Sequence, residues 1–248
     1  MKIVAIGGGA TGRFKPTSET TLIDREIVKL AGKRKPRFLF VPTASAGCDQ
    51  YCTAIYKQFS RKLGCTVDIL LLVNTDPDPA AIMKRILWAD IIYVGEGNTL
   101  SMLKVWRNYG VDDAIRTAMR QDTVLCGASA GSIAWFRWGN SDSLKSANER
   151  NKLIRVKGLG LIPALVCPHY DTEEHRRPSL KQMMETTPGV GIALDECCAL
   201  IVVGDTYRVM SSLKGRKAHR VYWKRGNFNH EEITPSLKFR PLKNLLAK

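Results

Sequence analysis

The sequence predicts an α/β fold of three layers: a mostly parallel sheet with helices on both faces, extended by a β-hairpin near the C terminus. Three observations predict it. Runs rich in Val, Ile and Leu alternate with segments of helical periodicity, an arrangement that calls for parallel strands covered by helices. Two late apolar runs flank a turn-forming Gly204-Asp205, which reads as a hairpin. The 248 residues, 44% of them hydrophobic, can bury a full core and show no repeat, low-complexity tract or long linker, so residues 1–248 read as one domain.

Taken in order, residues 3–6, 38–41, 67–73, 91–94 and 123–126 read as strands. Between them, 21–30, 51–63, 80–87 and 112–121 carry the spacing of amphipathic helices. Asn98 is placed to cap a further helix running through Leu103, a role that competes with substrate contact. Residues 133–136 are helix-compatible, and 161–167 form another strand-like run. Beyond these, 192–194, 199–203 and 207–210 are short strands, the last two forming the hairpin.

Composition removes several classes of function. A net charge of +15 invites a nucleic-acid reading, since a basic face neutralises phosphates. Yet eleven Lys or Arg against two acids, Glu231 and Glu232, fall within 208–248, and no helix-turn-helix, RRM or zinc-finger pattern accompanies them. A solvated basic surface is the preferred reading, and a nucleic-acid partner is disfavoured. The seven cysteines are an odd number in mostly apolar company and read as reduced core thiols. Cys48-x-x-x-Cys52 lacks a second ligand pair, so no metal and no cofactor is expected. No run reaches the ~20 apolar residues that cross a bilayer, and the start "MKIVAIGGGATG" lacks a cleavage site. A cytoplasmic protein without a membrane partner is therefore expected, with a homodimer left open.

Two glycine-rich stretches follow strands. Gly7-Gly8-Gly9-Ala10-Thr11-Gly12 fits G-x-G-x-x-G, but Arg13-Phe14-Lys15-Pro16 follows where a dinucleotide-binding helix would begin. It reads instead as a loop at the carboxyl end of the sheet, where active sites of open α/β folds lie. Gly127-Ala128-Ser129-Ala130-Gly131 sits between a strand and a helix-compatible segment, the setting that G-x-S-x-G requires to expose a serine hydroxyl. Ser129 is thus a candidate nucleophile, with helix capping as its competing role. The N–H of Ala130 is a candidate oxyanion donor, and Gly97, where the main chain can approach a substrate closely, is the second.

A serine nucleophile needs a base, and the chain has four histidines. His169 follows a strand-like run, whereas His175, His219 and His230 lie among charged residues and read as exposed. In α/β-hydrolases the acid precedes a His that is usually distant from the serine, but here only forty positions separate Ser129 from His169 and a long region follows. With "GEGNTLSMLK" (95–104), "GASAGSIAWF" (127–136), "NSDS" (140–143), "CPHYD" (167–171) and "GIALDECCAL" (191–200) in this order, the chain resembles the peptidase E (aspartyl dipeptidase) family, relatives of cyanophycinase.

The resemblance implies a fold similar to class I glutamine amidotransferases, with Ser in place of Cys. It implies Ser129 as nucleophile and His169 as general base, with either Asp142 or Glu196 orienting the imidazole. It also implies Arg176 as a reader of a substrate carboxylate, although the segment from His169 to Arg176 is shorter than in the family's pattern. The expected activity is cofactor-free hydrolysis of a small peptide substrate, including N-terminal Asp-X dipeptides, through an acyl-enzyme. A catalytically silent binding protein of the same fold and a basic nucleic-acid binder are the alternatives.

Overall fold

The computed structural model describes residues 1–12, 17–144 and 153–248. Arg13-Phe14-Lys15-Pro16, which bear on the dinucleotide reading, lie outside them. The strands are β1 (Lys2–Ile6), β2 (Arg37–Val41), β3 (Thr66–Ile69), β4 (Ile91–Val94), β5 (Val124–Ala128), β6 (Phe136–Ser141), β7 (Ile154–Lys157), β8 (Ile162–Cys167), β9 (Gly191–Leu194), β10 (Cys198–Val203), β11 (Thr206–Ser211), β12 (Ala218–Lys224), β13 (Asn227–Ile233) and β14 (Arg240–Pro241). The helices are α1 (Thr21–Leu30), α2 (Asp49–Ile55, continued by π-helical Tyr56–Lys62), α3 (Pro79–Trp88), α4 (Thr99–Tyr109), α5 (Val111–Arg120), α6 (Ala130–Ile133), α7 (Arg176–Glu185) and α8 (Leu242–Leu246).

The strands form two sheets. An eight-stranded sheet has the order β14-β11-β10-β1-β5-β4-β2-β3, parallel from β1 through β3. The hairpin of β10 and β11 extends it antiparallel to β1, in a register pairing Ile3 with Val202. A six-stranded sheet has the order β13-β12-β9-β8-β6-β7. The sequence does not foresee this second sheet, and its physical origin is local. A parallel crossover within one sheet takes a dozen or more residues, and the short connection from β5 to β6 holds only the one-turn helix α6. Residues 133–136, helix-compatible in sequence, therefore leave α6 at Ile133 and enter a strand at Phe136, which opens a new sheet.

Alternation along β1 sends Ile3 and Ala5 to one core and Val4 and Ile6 to the other. The first core joins the large sheet to α3, α4 and α5 and to one face of the small sheet, through Val166, Ile192 and Leu194. The second lies under α1 and α2, with Phe38 stacked on Phe59 at 4.0 Å between centroids. A third, under α7, buries Leu165, Ala193, Leu180 and Val221 on the opposite face of the small sheet. Asp24 of α1 is fully buried; burial pushes its carboxyl up to about 6 against hydrogen bonds from Gln58, Ser18 and Thr20.

His219 departs from the expectation of exposure. It is 5% exposed, its ring stacked on His230 and tilted against Tyr170, each at 4.9 Å between centroids, with Nε2 3.3 Å from Asp195 Oδ1. It shares the inward face of β12 with Val221, two residues on. Charged neighbours in sequence point to the other face of a strand and say nothing about this one. No helix among the described residues is long and apolar enough to cross a membrane.

Candidate active site

The chain crosses from the large sheet to the small one at the end of β5, and Ser129 is the residue at the corner. Its φ of 50° and ψ of −110° lie where few side chains settle. Close packing enforces the corner. A Cβ on Gly131 would stand 2.2 Å from the Val94 carbonyl oxygen, and one on Gly127 would stand 2.6 Å from the Gly131 carbonyl carbon. The two outer glycines of G-x-S-x-G are thus where strand and helix backbones meet. Ser129 makes no side-chain cap to α6, so its hydroxyl is not spent on the helix, while its N–H donates to the Ile6 carbonyl.

His169 stands two residues beyond β8, also at positive φ (53°), with its N–H donating to the Gly7 carbonyl. Glu196 lies where the chain passes back from β9 to β10, followed by Cys197 at φ 57°. Three such residues at one site represent strain of roughly 1–3 kcal/mol each that the surrounding packing must hold. The side chains form a line. Ser129 Oγ is 2.7 Å from His169 Nε2, and His169 Nδ1 is 2.5 Å from Glu196 Oε1. Gly8 closes over the pair; a Cβ there would stand 2.4 Å from the imidazole and 2.9 Å from Glu196 Oε1. Burial opposes ionisation of the imidazole, but the hydrogen bond and charge of Glu196, with Glu96 beyond, outweigh it and leave the His169 pKa above its ordinary value.

The other predicted site residues are placed as follows. Asp142 is half-buried just past β6, and with both ring nitrogens of His169 already facing Ser129 and Glu196, no ring nitrogen is left for it. Its segment is fastened to the start of α4 instead: Asn98 Nδ2 donates to the Ser143 carbonyl, and Leu100 N–H donates to Ser143 Oγ. Asn98 caps α4 through Oδ1, which accepts from Ser101 N–H at 2.9 Å. Gly97 lies against Ala44, whose carbonyl accepts from Asn98 N–H. Ala130 opens α6, so its N–H lies outside that helix's own ladder. Arg176 is 2% exposed, donating from Nε to Glu173 and from Nη1 to the Asn140 carbonyl.

Beside His169 and Glu196 is a cavity of about 450 Å³, lined also by Gly9, Tyr51, Glu96 and Arg216. Arg176 is not part of its wall. Arg216 pairs with Asp171, whose other oxygen accepts the Glu196 N–H at 2.8 Å. Sequence reasoning noted the stretches that hold Gly8 and Glu96 without giving either a role, and missed Arg216. Asp171 stood inside a noted block, but nothing in the sequence set Arg216 apart from the basic residues around it.

Residues 3–210 match the family described as peptidase family S51. The chain is 34% identical over 222 residues to the Bacillus subtilis (strain 168) protein called uncharacterized peptidase YgaJ, covering 89% of this chain and 91% of that one. It is 28% identical over 179 residues to peptidase E of Streptomyces coelicolor, covering 68% of this chain and 69% of that one. In fold it is similar to the crystal structure of a peptidase from an acI-B1 Actinobacterium, with a TM-score of 0.73 at 18% identity, covering 97% and 96% of the two chains.

Proposed function

We propose, from the premise that the chain belongs to peptidase family S51 and is a serine peptidase, that it hydrolyses short peptides through an acyl-enzyme on Ser129. The observation that carries the proposal is the unbroken line of hydrogen-bond contacts from Ser129 Oγ through the His169 ring to Glu196. It also argues against a silent binding protein, in which hydroxyl and imidazole would have no reason to face each other.

In this reading Ser129 Oγ attacks the scissile carbonyl carbon while His169 Nε2 takes its proton, and Glu196 stabilises the imidazolium that forms. The amides of Ala130 and Gly97 are assigned to the developing oxyanion, and losing one such donor typically costs about 2.7–4 kcal/mol of transition-state stabilisation. Collapse of the tetrahedral species breaks the C–N bond, and His169 returns the proton to the departing amine. Water, deprotonated by His169, then attacks the ester, releasing the acid and the free serine. N-terminal Asp-X dipeptides are among the proposed substrates, supported by the peptidase E relative.

A dipeptide panel including Asp-X members, assayed with the wild type and Ser129→Ala, tests the mechanism. The wild type should cleave at least one member, and the variant should lose that activity by a factor on the order of 10⁴–10⁶. Equal rates for the two proteins would refute it.

A further inference from the structure

We propose that His219 is a positioning residue for the catalytic pair, holding His169 and Glu196 in contact through the residue next to each in sequence; this rests on the peptidase reading above and deepens it. One buried ring meets both neighbours. Its centroid lies 4.9 Å from that of Tyr170, the residue after His169, and its Nε2 stands 3.3 Å from Oδ1 of Asp195, the residue before Glu196. Strand register sets this meeting. β12 pairs antiparallel with β9 so that His219 lies opposite Ala193, and Asp195, two residues further along the chain, returns to the same face. Tyr170 is tied to the same strand, its N–H donating to the Leu194 carbonyl.

Asp195 in turn shapes the corner that carries Glu196. Its N–H donates to the Lys217 carbonyl, its Oδ2 accepts the Lys217 N–H at 3.0 Å, and its carbonyl accepts the Cys198 N–H, closing a turn with Glu196 and Cys197 at its middle. That leaves Oδ1, which has no hydrogen bond among the described residues and faces His219. Packing alone does not explain a histidine here. Its Nδ1 is buried with no hydrogen-bond partner among the described residues, a penalty that a phenylalanine of similar shape would avoid. The gain lies at Nε2, where the ring can set an N–H toward a buried carboxylate and so keep Asp195, and with it the turn, in one orientation. The charged and titratable groups around the ring are Asp195, Tyr170 and His230, with Arg177 over the Tyr170 ring, Lys217 two residues before it and Glu232 opposite it on β13.

The test is an NMR titration of the His169 ring, which needs no substrate, in the wild type, His219→Phe and Asp195→Asn, with each substitution also combined with Glu196→Gln. In His219→Phe the His169 pKa should fall, because a carboxylate held less well in place raises the imidazole less. Loss of a cationic ring would by itself shift His169 the other way, so the sign separates positioning from charge. Asp195→Asn should lower the value too, and it carries the test if His219→Phe does not fold. Neither substitution should shift His169 further once Glu196→Gln is present, since both act through Glu196. His219→Gln, which can again turn an N–H toward Asp195, should recover part of the wild-type value. On a peptide that the wild type cleaves, His219→Phe should lower kcat by about 10–10²-fold with KM little changed. An unmoved His169 pKa in the folded variants, a shift that persists in full beside Glu196→Gln, or an unchanged kcat would overturn the proposal. Should the wild type cleave no peptide, the peptidase reading fails, and the titration still decides this one.

Discussion

Two of the corners where the chain passes between its sheets bring the reacting groups together, and they are built differently. At the β5 to β6 corner the backbone itself is the device. Gly127 and Gly131 touch, Gly131 presses on the Val94 carbonyl, and Ser129 is held in a conformation it would not choose alone. At the β9 to β10 corner the geometry comes from distant partners. Glu196 N–H donates to the Asp171 carboxylate, its side chain meets His169, and Cys197 N–H donates to the Gly8 carbonyl. The first corner is shaped by its own small residues, with Val94 and Ile6 packed against them, whereas the second is held by side chains arriving from across the fold. A nucleophile must protrude rigidly from its own turn, whereas an orienting acid need only arrive at the correct ring nitrogen.

Glu196→Gln breaks the second corner's electrostatics while keeping its shape, and among substitutions that leave Ser129 in place its effect on catalysis should be the largest, a loss of about 10²–10⁴ in kcat/KM. It carries a signed pH test. The base must be neutral to accept a proton, so activity in the wild type should fall on the acid side with an inflection above the ordinary imidazole value. Removing the carboxylate charge lowers the imidazole pKa, so the acid limb of a kcat/KM profile should move to lower pH. An unmoved limb would mean that Glu196 does not act on His169.

Gly131→Ala strikes the first corner instead. The added methyl meets backbone, which cannot swing aside, so α6 must shift. Overpacking of this kind costs about 1–3 kcal/mol, and displacing the hydroxyl by about 1 Å costs on the order of 10² in rate. Thermal unfolding and peptidase activity should fall together, unlike in Glu196→Gln, where activity falls and stability largely persists. Asp142→Asn should have the smallest effect, within about tenfold of the wild type, because its segment secures the start of α4 rather than the imidazole. A loss comparable to that of Glu196→Gln would reverse the ranking of the two acids.

How much of this was legible beforehand follows from the same contrast. The strands from β1 to β5 and the hairpin of β10 and β11 were readable because alternation and turn residues are local signals. So was the serine's corner, since only small residues permit it. The sheet division was not readable from periodicity, because it depends on a connection too short to return to its own sheet. His219 was misread because sequence neighbours on a strand face opposite ways. Glu196 was found only as one of two acids, and Arg216 was lost in a basic stretch, because neither residue owes its place to its neighbours.

The sequence by itself determined the α/β alternation, the strained serine between glycines and the histidine that follows a strand, each being a property of a few consecutive residues. Only the tertiary structure decided which acid meets the imidazole, which arginine lines the cavity and which is buried away from its wall. Those choices depend on how two sheets pack, and packing joins residues whose separation along the chain carries no periodic signal.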